Sequence, residues 1–135
     1  MTATTAYRTV FISDTHLGMT GVRSATLLTF LRGLSCETLY LVGDIVDGWA
    51  LQRHWVWTDT DEQVLEAIFA QVKNGTRVVY IPGNHDDMVR GVLPVERFAG
   101  VELRLSDTLT LADGRRFYVT HGDQFDVVTT NMTWL

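Results

Sequence analysis

Three short apolar runs constrain the fold of this chain more than any other feature of its sequence. They cover residues 10–12, 39–42 and 78–81, and continuous apolar runs of this length are typical of strands buried on both faces. Between them, apolar residues recur at helical spacing in segments 25–34 and 64–72. This alternation predicts an α/β fold with a mostly parallel sheet, right-handed crossovers and helices on both faces of the sheet.

The second helical segment and the last third of the chain carry further local signals. Asp59, followed by Glu62, predicts a helix start, and the dipeptide Asn74-Gly75 predicts the helix end. After residue 108, apolar and polar residues alternate on both sides of Asp113-Gly114, a dipeptide typical of a two-residue turn. We therefore expect an antiparallel hairpin, with Leu109, Leu111, Phe117 and Val119 on one face, added to the parallel sheet.

The bulk composition is that of one globular domain. The chain has 135 residues, of which 46% are hydrophobic and 20% charged. Its net charge of -5 argues against stable nucleic-acid binding, which needs a basic surface to displace counterions. The single cysteine, Cys36, excludes an intrachain disulfide, and no apolar run has the length of a membrane span or a signal peptide. We expect a cytoplasmic protein without a transmembrane segment.

Four clusters of potential metal ligands each follow a predicted strand directly. They occupy residues 14–16 (DTH), 43–47 (GDIVD), 83–86 (GNHD) and 121–123 (HGD). Taken singly, each has a common structural explanation as a solvated strand end, a turn or a helix cap. Together they contain three of the four histidines of the chain, and the first three clusters follow strands of a parallel sheet, whose ends meet at one edge. The clusters therefore predict one shared site, into which Gly43 and Gly83 would turn the backbone.

The order and wording of these clusters resemble the calcineurin-like metallophosphoesterase superfamily. Within it, the segments SDTHLG (13–18), LVGDIVDGW (41–49), IPGNHD (81–86) and HGDQFD (121–126) are closest to the UDP-2,3-diacylglucosamine diphosphatase-like branch. The resemblance covers nearly the whole chain. It implies an incomplete calcineurin-like α/β sandwich and a hydrolase that cleaves a phosphoester or pyrophosphate bond.

The resemblance also implies a centre with two divalent metal ions. One ion would be held by Asp14, His16 and Asp44, and the other by Asp44, Asn84 and His121. If Asp44 bridges the two ions, they would lie about 3.5–4 Å apart and could clamp an in-line displacement at phosphorus. Oxygen and nitrogen donors without a thiolate favour Mn, which we expect first, or Fe, Zn, Co or Mg.

Catalysis would then need no protein nucleophile, because metal-activated hydroxide could attack the phosphorus. By resemblance, His85 would stabilise or protonate the leaving oxygen, and Asp47 would orient His85. Three further carboxylates are interpreted either as residues that support the ligands or as helix-start residues: Asp86, Asp123 and Asp126.

One motif of the superfamily is absent from this sequence. The Gly-His-x-His motif, which supplies a further histidine to each metal, does not occur, and the remaining His54 lies between the second and third clusters. We therefore expect residues 1–135 to be the N-terminal part of a single, longer domain, with segment 125–135 beginning a helix. This chain should bind divalent metal weakly and turn over poorly.

The substrate and the role of the tryptophans remain open at this point. The resemblance favours a small phosphorylated substrate, possibly an acylated UDP-sugar reached by transient association with the membrane surface, but other small phosphoesters fit the same chemistry. A non-catalytic metal-binding or interaction module is the alternative of a different class. Trp49, Trp55 and Trp57 would either pack a long loop onto the sheet or form an apolar wall beside the cleft.

Overall fold

A five-stranded sheet forms the centre of the structure, and a separate two-stranded sheet lies beside it. The computed structural model describes residues 5–19, 23–92 and 97–121. The strands are β1 (Thr5–Ile12), β2 (Leu34–Val42), β3 (Arg77–Ile81), β4 (Arg97–Phe98), β5 (Val101–Leu103), β6 (Asp107–Thr110) and β7 (Arg116–Val119). The helices are α1 (Ser24–Arg32), α2 (Gly48–Arg53), α3 (Asp59–Lys73) and a 3₁₀ helix, Asp87–Val92.

The strand order of the large sheet is β1-β2-β3-β5-β4. Its neighbours pair in parallel from β1 to β5, whereas β4 is antiparallel to β5. The pair β6–β7 forms the predicted antiparallel hairpin. These pairings confirm the α/β class with a mostly parallel sheet and an added hairpin. The two short strands β4 and β5 were not predicted, because two or three residues are too few to produce a readable period.

In the described ranges, the two long helices α1 and α3 pack on the same face of the sheet, whereas helices on both faces were expected. Leu28 and Leu31 of α1 belong to the same core as Val64 and Ile68 of α3, together with Leu39 of the sheet. The reason lies in the strand order. The chain moves from β1 to β2 to β3 in one direction, and right-handed crossovers that advance in one direction all lie on the same side.

The hairpin covers the opposite face of the sheet. A second core lies there, formed by the fully buried Tyr40, Val79 and Ile81 of the sheet. Val119 of β7 and the half-buried Leu109 of β6 pack against them. Side chains of a strand alternate between faces, so neighbouring residues of β2 and β3 contribute to different cores. This burial on both sides explains the continuous apolar runs of the sequence.

Several element boundaries differ from the sequence prediction by one or a few residues. Helix α3 is capped by Thr58 and Asp61 in a reciprocal capping box, not by Asp59 and Glu62. Asn74 ends that helix as predicted, whereas Leu34 is the first residue of β2 and not part of α1. No helix in the described ranges combines the length and apolar character needed to span a bilayer.

The hairpin turn is wider than the two-residue turn that was predicted. Five residues separate β6 from β7, since β6 ends at Thr110 and β7 begins at Arg116. The amide of Leu111 donates to the carbonyl of Arg115 at 2.7 Å, and Gly114 adopts a φ of 87°. Asp113 accepts from the Arg115 amide at 3.0 Å, which closes the turn.

An ion-pair network joins the two sheets. The hydroxyl of Tyr40 on β2 donates to Asp107 Oδ2 at 2.7 Å, and Asp107 precedes the rest of the hairpin. Arg77 of β3 reaches the same carboxylate at 3.1 Å and also Glu102 of β5 at 2.6 Å. The side chains of Asp107 and Glu102 are 9% and 13% exposed, whereas that of Arg77 is 40% exposed, so water screens this network in part.

The pKa values of this network follow its contacts. Burial raises the pKa of Asp107, but the Tyr40 hydroxyl and the Arg77 guanidinium outweigh burial and hold it below its ordinary 3.8. For Tyr40, burial and the neighbouring Asp107 raise the pKa to about 12. A carboxyl whose folded pKa is depressed stabilises the fold above its unfolded pKa and loses that contribution as pH falls through the folded value.

We predict that Asp107→Asn lowers the free energy of unfolding by about 1–2 kcal/mol at neutral pH, because Tyr40 and Arg77 lose a charged acceptor. The difference from the parent protein should begin to shrink near pH 3.8, the ordinary pKa of the unfolded carboxyl, and should be lost as the pH falls through the lower pKa of the folded protein. Denaturant titrations at several pH values measure this. Asp113→Asn is the matched control, because Asp113 pairs with Arg115 at a side chain that is 53% exposed. Equal losses in the two variants would contradict the prediction.

Candidate metal centre

The first two ligand clusters lie side by side because β1 and β2 remain paired beyond their last strand residues. The amide of Asp14 donates to the Gly43 carbonyl at 3.0 Å, and the amide of His16 donates to the Asp44 carbonyl at 2.9 Å. The Ser13 hydroxyl lies 2.5 Å from the Val42 carbonyl, in agreement with a structural role at the strand end. The post-strand segments are therefore fixed relative to each other by backbone hydrogen bonds.

Three of these residues adopt a left-handed backbone conformation. The φ angles of Asp14, His16 and Asp44 are 57°, 48° and 54°. Side chains other than glycine rarely adopt such angles, although Asp and His tolerate them best, and each costs about 1 kcal/mol or more. Backbone strain of this kind is concentrated at functional sites, where the surrounding structure imposes it.

A fully buried carboxylate fixes the backbone of Asp44. Asp86 is 0% exposed and accepts from the amides of Asp44 at 3.1 Å, Ile45 at 3.0 Å and Gly83 at 2.6 Å. It also accepts from the Tyr80 hydroxyl at 2.5 Å. Asp86 therefore ties the end of β2 to the end of β3, which supports the interpretation of this residue as one that positions the ligands and not as a helix start.

Asp14, His16 and Asp44 form a group whose ligand atoms lie within 4.8 Å of one another. His121 joins them, since its Nε2 lies 3.6 Å from Asp14 Oδ1 and 3.5 Å from Asp44 Oδ2. These separations are too long for hydrogen bonds. For His121 and Asp44, which are predicted to share an ion, the separation is close to the roughly 3.0–3.4 Å expected between two ligand atoms that each bond to that ion at about 2.1 Å. The geometry of this group fits a divalent metal.

Two glycines leave room for His121. A Cβ at Gly43 would lie 2.0 Å from its Cδ2, and a Cβ at Gly83 would lie 2.8 Å from its Nδ1 and 2.6 Å from Asp44 Oδ1. Gly43 has a φ of 70° and turns the backbone as predicted. Gly83 is required for a different reason, which is close approach to two predicted ligands and not a positive φ.

Asp47 contacts two histidines at once. Its Oδ2 lies 2.8 Å from Nδ1 of His16 and 2.9 Å from Nδ1 of His85, and its Oδ1 accepts from the Ala50 amide at 2.8 Å. A carboxylate on one ring nitrogen fixes the orientation of an imidazole and leaves the other nitrogen for a ligand or substrate. For His16, that second nitrogen, Nε2, is the one that faces Asp14 at 3.8 Å.

The environment of Asp47 keeps it ionised. Burial raises the pKa of this carboxyl, but the Ala50 amide and the rings of His16 and His85 more than offset burial, so its pKa lies below the ordinary value. An ionised Asp47 is the form that can accept from both histidines simultaneously. The sequence predicted its contact with His85 but not the one with His16.

The tryptophans divide between the two interpretations that the sequence left open. The ring centroid of Trp49 lies 4.1 Å from that of His85, and Trp49 is 41% exposed, so it forms a wall beside this histidine. Trp57 packs against the core and donates to Glu62 at 2.9 Å. Trp55 is 77% exposed. One tryptophan is therefore part of the site, and Trp57 packs its loop onto the protein.

Of the other predicted site residues, Asn84, Asp123 and Asp126, only Asn84 is described, and the structure gives it no contact with the grouped ligands. Asn84 is exposed and lies between Gly83 and His85, whose amide donates to Asp44 Oδ1 at 2.8 Å. Asp123, Asp126 and the helix predicted from residue 125 lie outside the described residues. The structure thus brings together Asp14, His16, Asp44 and His121, with Asp47 and His85 beside them.

Comparison with known families decides how this site is classified. The model of the calcineurin-like phosphoesterase family matches residues 7–134. The chain belongs to this family. Metal-dependent cleavage of phosphoester bonds is general to calcineurin-like phosphoesterases, and the grouped carboxylates and histidines of this member agree with it.

Individual relatives of this phosphoesterase include two hydrolases with the same name and one DNA polymerase subunit. UDP-2,3-diacylglucosamine hydrolase from Aromatoleum aromaticum is 31% identical over 117 residues, which cover 84% of this chain and 46% of the relative. The protein of the same name from Xanthomonas campestris pv. campestris is 32% identical over 122 residues, covering 85% and 46%. The DNA polymerase II small subunit of Methanothermobacter thermautotrophicus is 27% identical over 159 residues, covering 96% and 33%. The chain spans between a third and a half of these relatives.

We predict that Gly43→Ala weakens metal binding, because its Cβ would displace His121. Gly114→Ala is the matched control, since Gly114 also has a positive φ but nothing lies within 4 Å of an added Cβ. Both variants should lose about 1–2 kcal/mol of stability from backbone strain. Only Gly43→Ala should also lose about tenfold or more in Mn²⁺ affinity, measured by calorimetry. Equal Mn²⁺ affinities in the two variants would show that His121 does not contribute to the site.

Proposed function

We propose that this protein is a dinuclear metal-dependent hydrolase of a phosphoester or pyrophosphate bond. The observation that carries the proposal is the convergence of Asp14, His16, Asp44 and His121 at separations that suit a bound ion, next to a histidine held by Asp47. Membership of the calcineurin-like phosphoesterases supports the same reaction class.

The proposed ligand sets are those that the family resemblance implies, and the grouping of Asp14, His16 and Asp44 is compatible with them. Asp14 and His16 would share one ion with Asp44, while His121 and Asn84 would share the second ion with the same Asp44. The central place of Asp44 supports a bridging role, since its Oδ2 faces His121 at 3.5 Å and its other oxygen accepts from the amide of His85. Mn is our first choice of metal, with Fe, Zn, Co or Mg as the other ions that suit these donors.

Bound ions would supply two things here, namely positive charge that offsets the phosphate and a lower pKa for an attacking water. The protein residues supply the rest. A neutral amide from Asn84 adds no negative charge to a site that already holds several carboxylates, which favours an anionic substrate. Asp86 holds the Asp44 backbone in place through its contact with the Asp44 amide.

His85 is proposed to protonate the leaving oxygen, with Asp47 as its positioning residue. The Nδ1 of His85 lies against Asp47, so Nε2 is the nitrogen available to a substrate. The side chain of His85 is 33% exposed, whereas that of Asp47 is 3% exposed. This arrangement keeps the carboxylate away from the substrate and lets the imidazole reach it.

The substrate proposed first is an acylated UDP-sugar of the kind named in the UDP-2,3-diacylglucosamine hydrolase relatives. The exposed apolar face of Trp49 beside His85 suits a substrate with a large apolar part. Such a substrate would bring a cytoplasmic enzyme transiently to the membrane surface. Other small phosphoesters are the second candidate substrates, since the metal ligands themselves make no contact that distinguishes one leaving group from another.

One relative is named as a subunit of a larger assembly, a DNA polymerase, so an interaction module is the candidate of another class. In that case, the chain would be an interaction module that keeps the phosphoesterase scaffold without turning over substrate. The intact cluster of Asp14, His16, Asp44 and His121, together with the Asp47–His85 pair, favours the hydrolase over this module.

We predict that His85→Asn reduces the kcat for Mn²⁺-dependent hydrolysis of bis-p-nitrophenyl phosphate by about 10²–10⁴-fold, because the leaving oxygen loses its proton donor. Mn²⁺ affinity should stay near that of the parent protein. The paired variant Asp44→Asn should lose both activity and Mn²⁺ affinity. Calorimetry and initial rates separate the two effects. Loss of Mn²⁺ binding in His85→Asn would overturn its assignment, and absence of Mn²⁺-dependent hydrolysis in the parent would favour the interaction module.

A substrate panel tests the finer proposal. We expect hydrolysis of UDP-linked diacyl sugars to have a kcat/KM at least about tenfold above that of cyclic nucleotides and bis-p-nitrophenyl phosphate, since binding of the acyl and nucleotide parts adds transition-state stabilisation. Initial rates with Mn²⁺ at equal protein concentration measure this ratio. Turnover of the generic ester with none of the acylated sugar would contradict the lipid assignment and leave the general phosphoesterase proposal standing.

A further inference from the structure

Beside the metal centre lies a cavity of about 270 Å³ that the ligand assignments do not explain. Its walls include His16, Asp47 and His85 on one side and Trp49 and Arg53 of α2 on the other. A second cavity of about 340 Å³ adjoins it along α2 and shares Arg53. Arg53 therefore lies on the wall of both cavities, where the part of a substrate that extends beyond the metal centre would lie.

Helix α2 holds Trp49 and Arg53 on one face. They are four residues apart in a helix that runs from Gly48 to Arg53, so their side chains lie about one turn, roughly 5 Å, apart along its axis. The helix is anchored to the third ligand cluster, because the Gly48 amide donates to the His85 carbonyl at 2.7 Å. Its distance from the site is thus set by a direct backbone contact, and Trp49 reaches the His85 ring at 4.1 Å.

Arg53 is solvent-exposed, and no carboxylate in the described part of the chain forms an ion pair with it. The carboxylate that lines the same cavity is Asp47. A guanidinium presents a planar fork of donors that matches the oxygens of a phosphate. An unpaired arginine on a cavity wall, next to an acidic centre, is the feature expected for binding a second anionic group.

We propose that Arg53 binds the non-scissile phosphate of a diphosphate substrate, with the Trp49 ring against the adjoining part of the same molecule. The inference rests on the proposed function and deepens it. In the proposed reaction, a water oxygen would bond to the attacked phosphorus and its proton would pass to solvent. The bond from that phosphorus to the bridging oxygen would break, and the leaving phosphate would take a proton from His85, which solvent would then reprotonate. Arg53 would offset the charge of that leaving phosphate, so it selects diphosphates over monoesters.

Binding of two nucleotides tests this without relying on turnover. With the Mn²⁺-loaded protein, UDP should bind more tightly than UMP, because only UDP can contact the metals and Arg53 together. Arg53→Met should raise the Kd for UDP by about 10- to 100-fold and leave the Kd for UMP within about threefold. Arg53→Lys should recover part of the loss, since it keeps the charge but not the fork. The control Arg32→Met removes an exposed arginine at the end of α1 and should change neither Kd.

Two outcomes would overturn the inference. One is equal Kd values for UDP and UMP in the parent protein, and the other is a loss of UMP binding as large as that of UDP binding in Arg53→Met. A parent protein that prefers UDP through Arg53 but shows no Mn²⁺-dependent hydrolysis would instead refute the proposed function and leave this binding site in place.

Discussion

The carboxylate of Asp86 is the constraint on which the rest of the site depends. It is fully buried and accepts from three backbone amides and from the Tyr80 hydroxyl. A buried carboxylate is costly unless all its acceptor positions are used, and here they are used to join the end of β2 to the end of β3. Asp44 can hold a left-handed backbone angle between two strands because this group satisfies its amide.

From this constraint the other positions follow in sequence. The fixed Asp44 sets the distance to Asp14 through the continued pairing of the β1 and β2 segments. The glycines at 43 and 83 then leave a gap that His121 fills from the hairpin sheet. The second sheet must therefore be held at a definite distance from the first, which is the structural role of the Tyr40–Asp107–Arg77 network. Stability of the fold and geometry of the site are linked through these few polar contacts.

The sequence predicted a large part of this arrangement. Apolar runs and helical periods identified β2, β3, α1 and α3, because each is long enough to show its period. Ligand residue types at strand ends pointed to Asp14, His16 and Asp44, since parallel strands end at a common edge. His121 follows a strand of the antiparallel hairpin, so it was predicted from the family resemblance. The function of Asp47 as a partner of His85 came from the family resemblance, and the hydrogen bond between them agrees with it.

What the sequence did not predict depends on contacts between distant segments. Asp86 was ambiguous because two of its partners, the amides of Asp44 and Ile45, lie some forty residues away in the chain and leave no local signal. The placement of α1 and α3 on one face depends on the strand order, which no local pattern encodes. Arg53 was unremarkable in the sequence and gained significance only when α2 was seen beside His85.

The most direct test of the account is the position of bound metal. Crystals of the protein grown with Mn²⁺ and measured with X-rays near the manganese absorption edge would show each ion as an anomalous difference peak. The account predicts one peak about 2.0–2.3 Å from Asp14, His16 and Asp44, and a second, about 3.5–4 Å away, next to Asp44 and His121. Anomalous peaks elsewhere on the protein, or none at these side chains in Mn²⁺-saturated crystals, would contradict it.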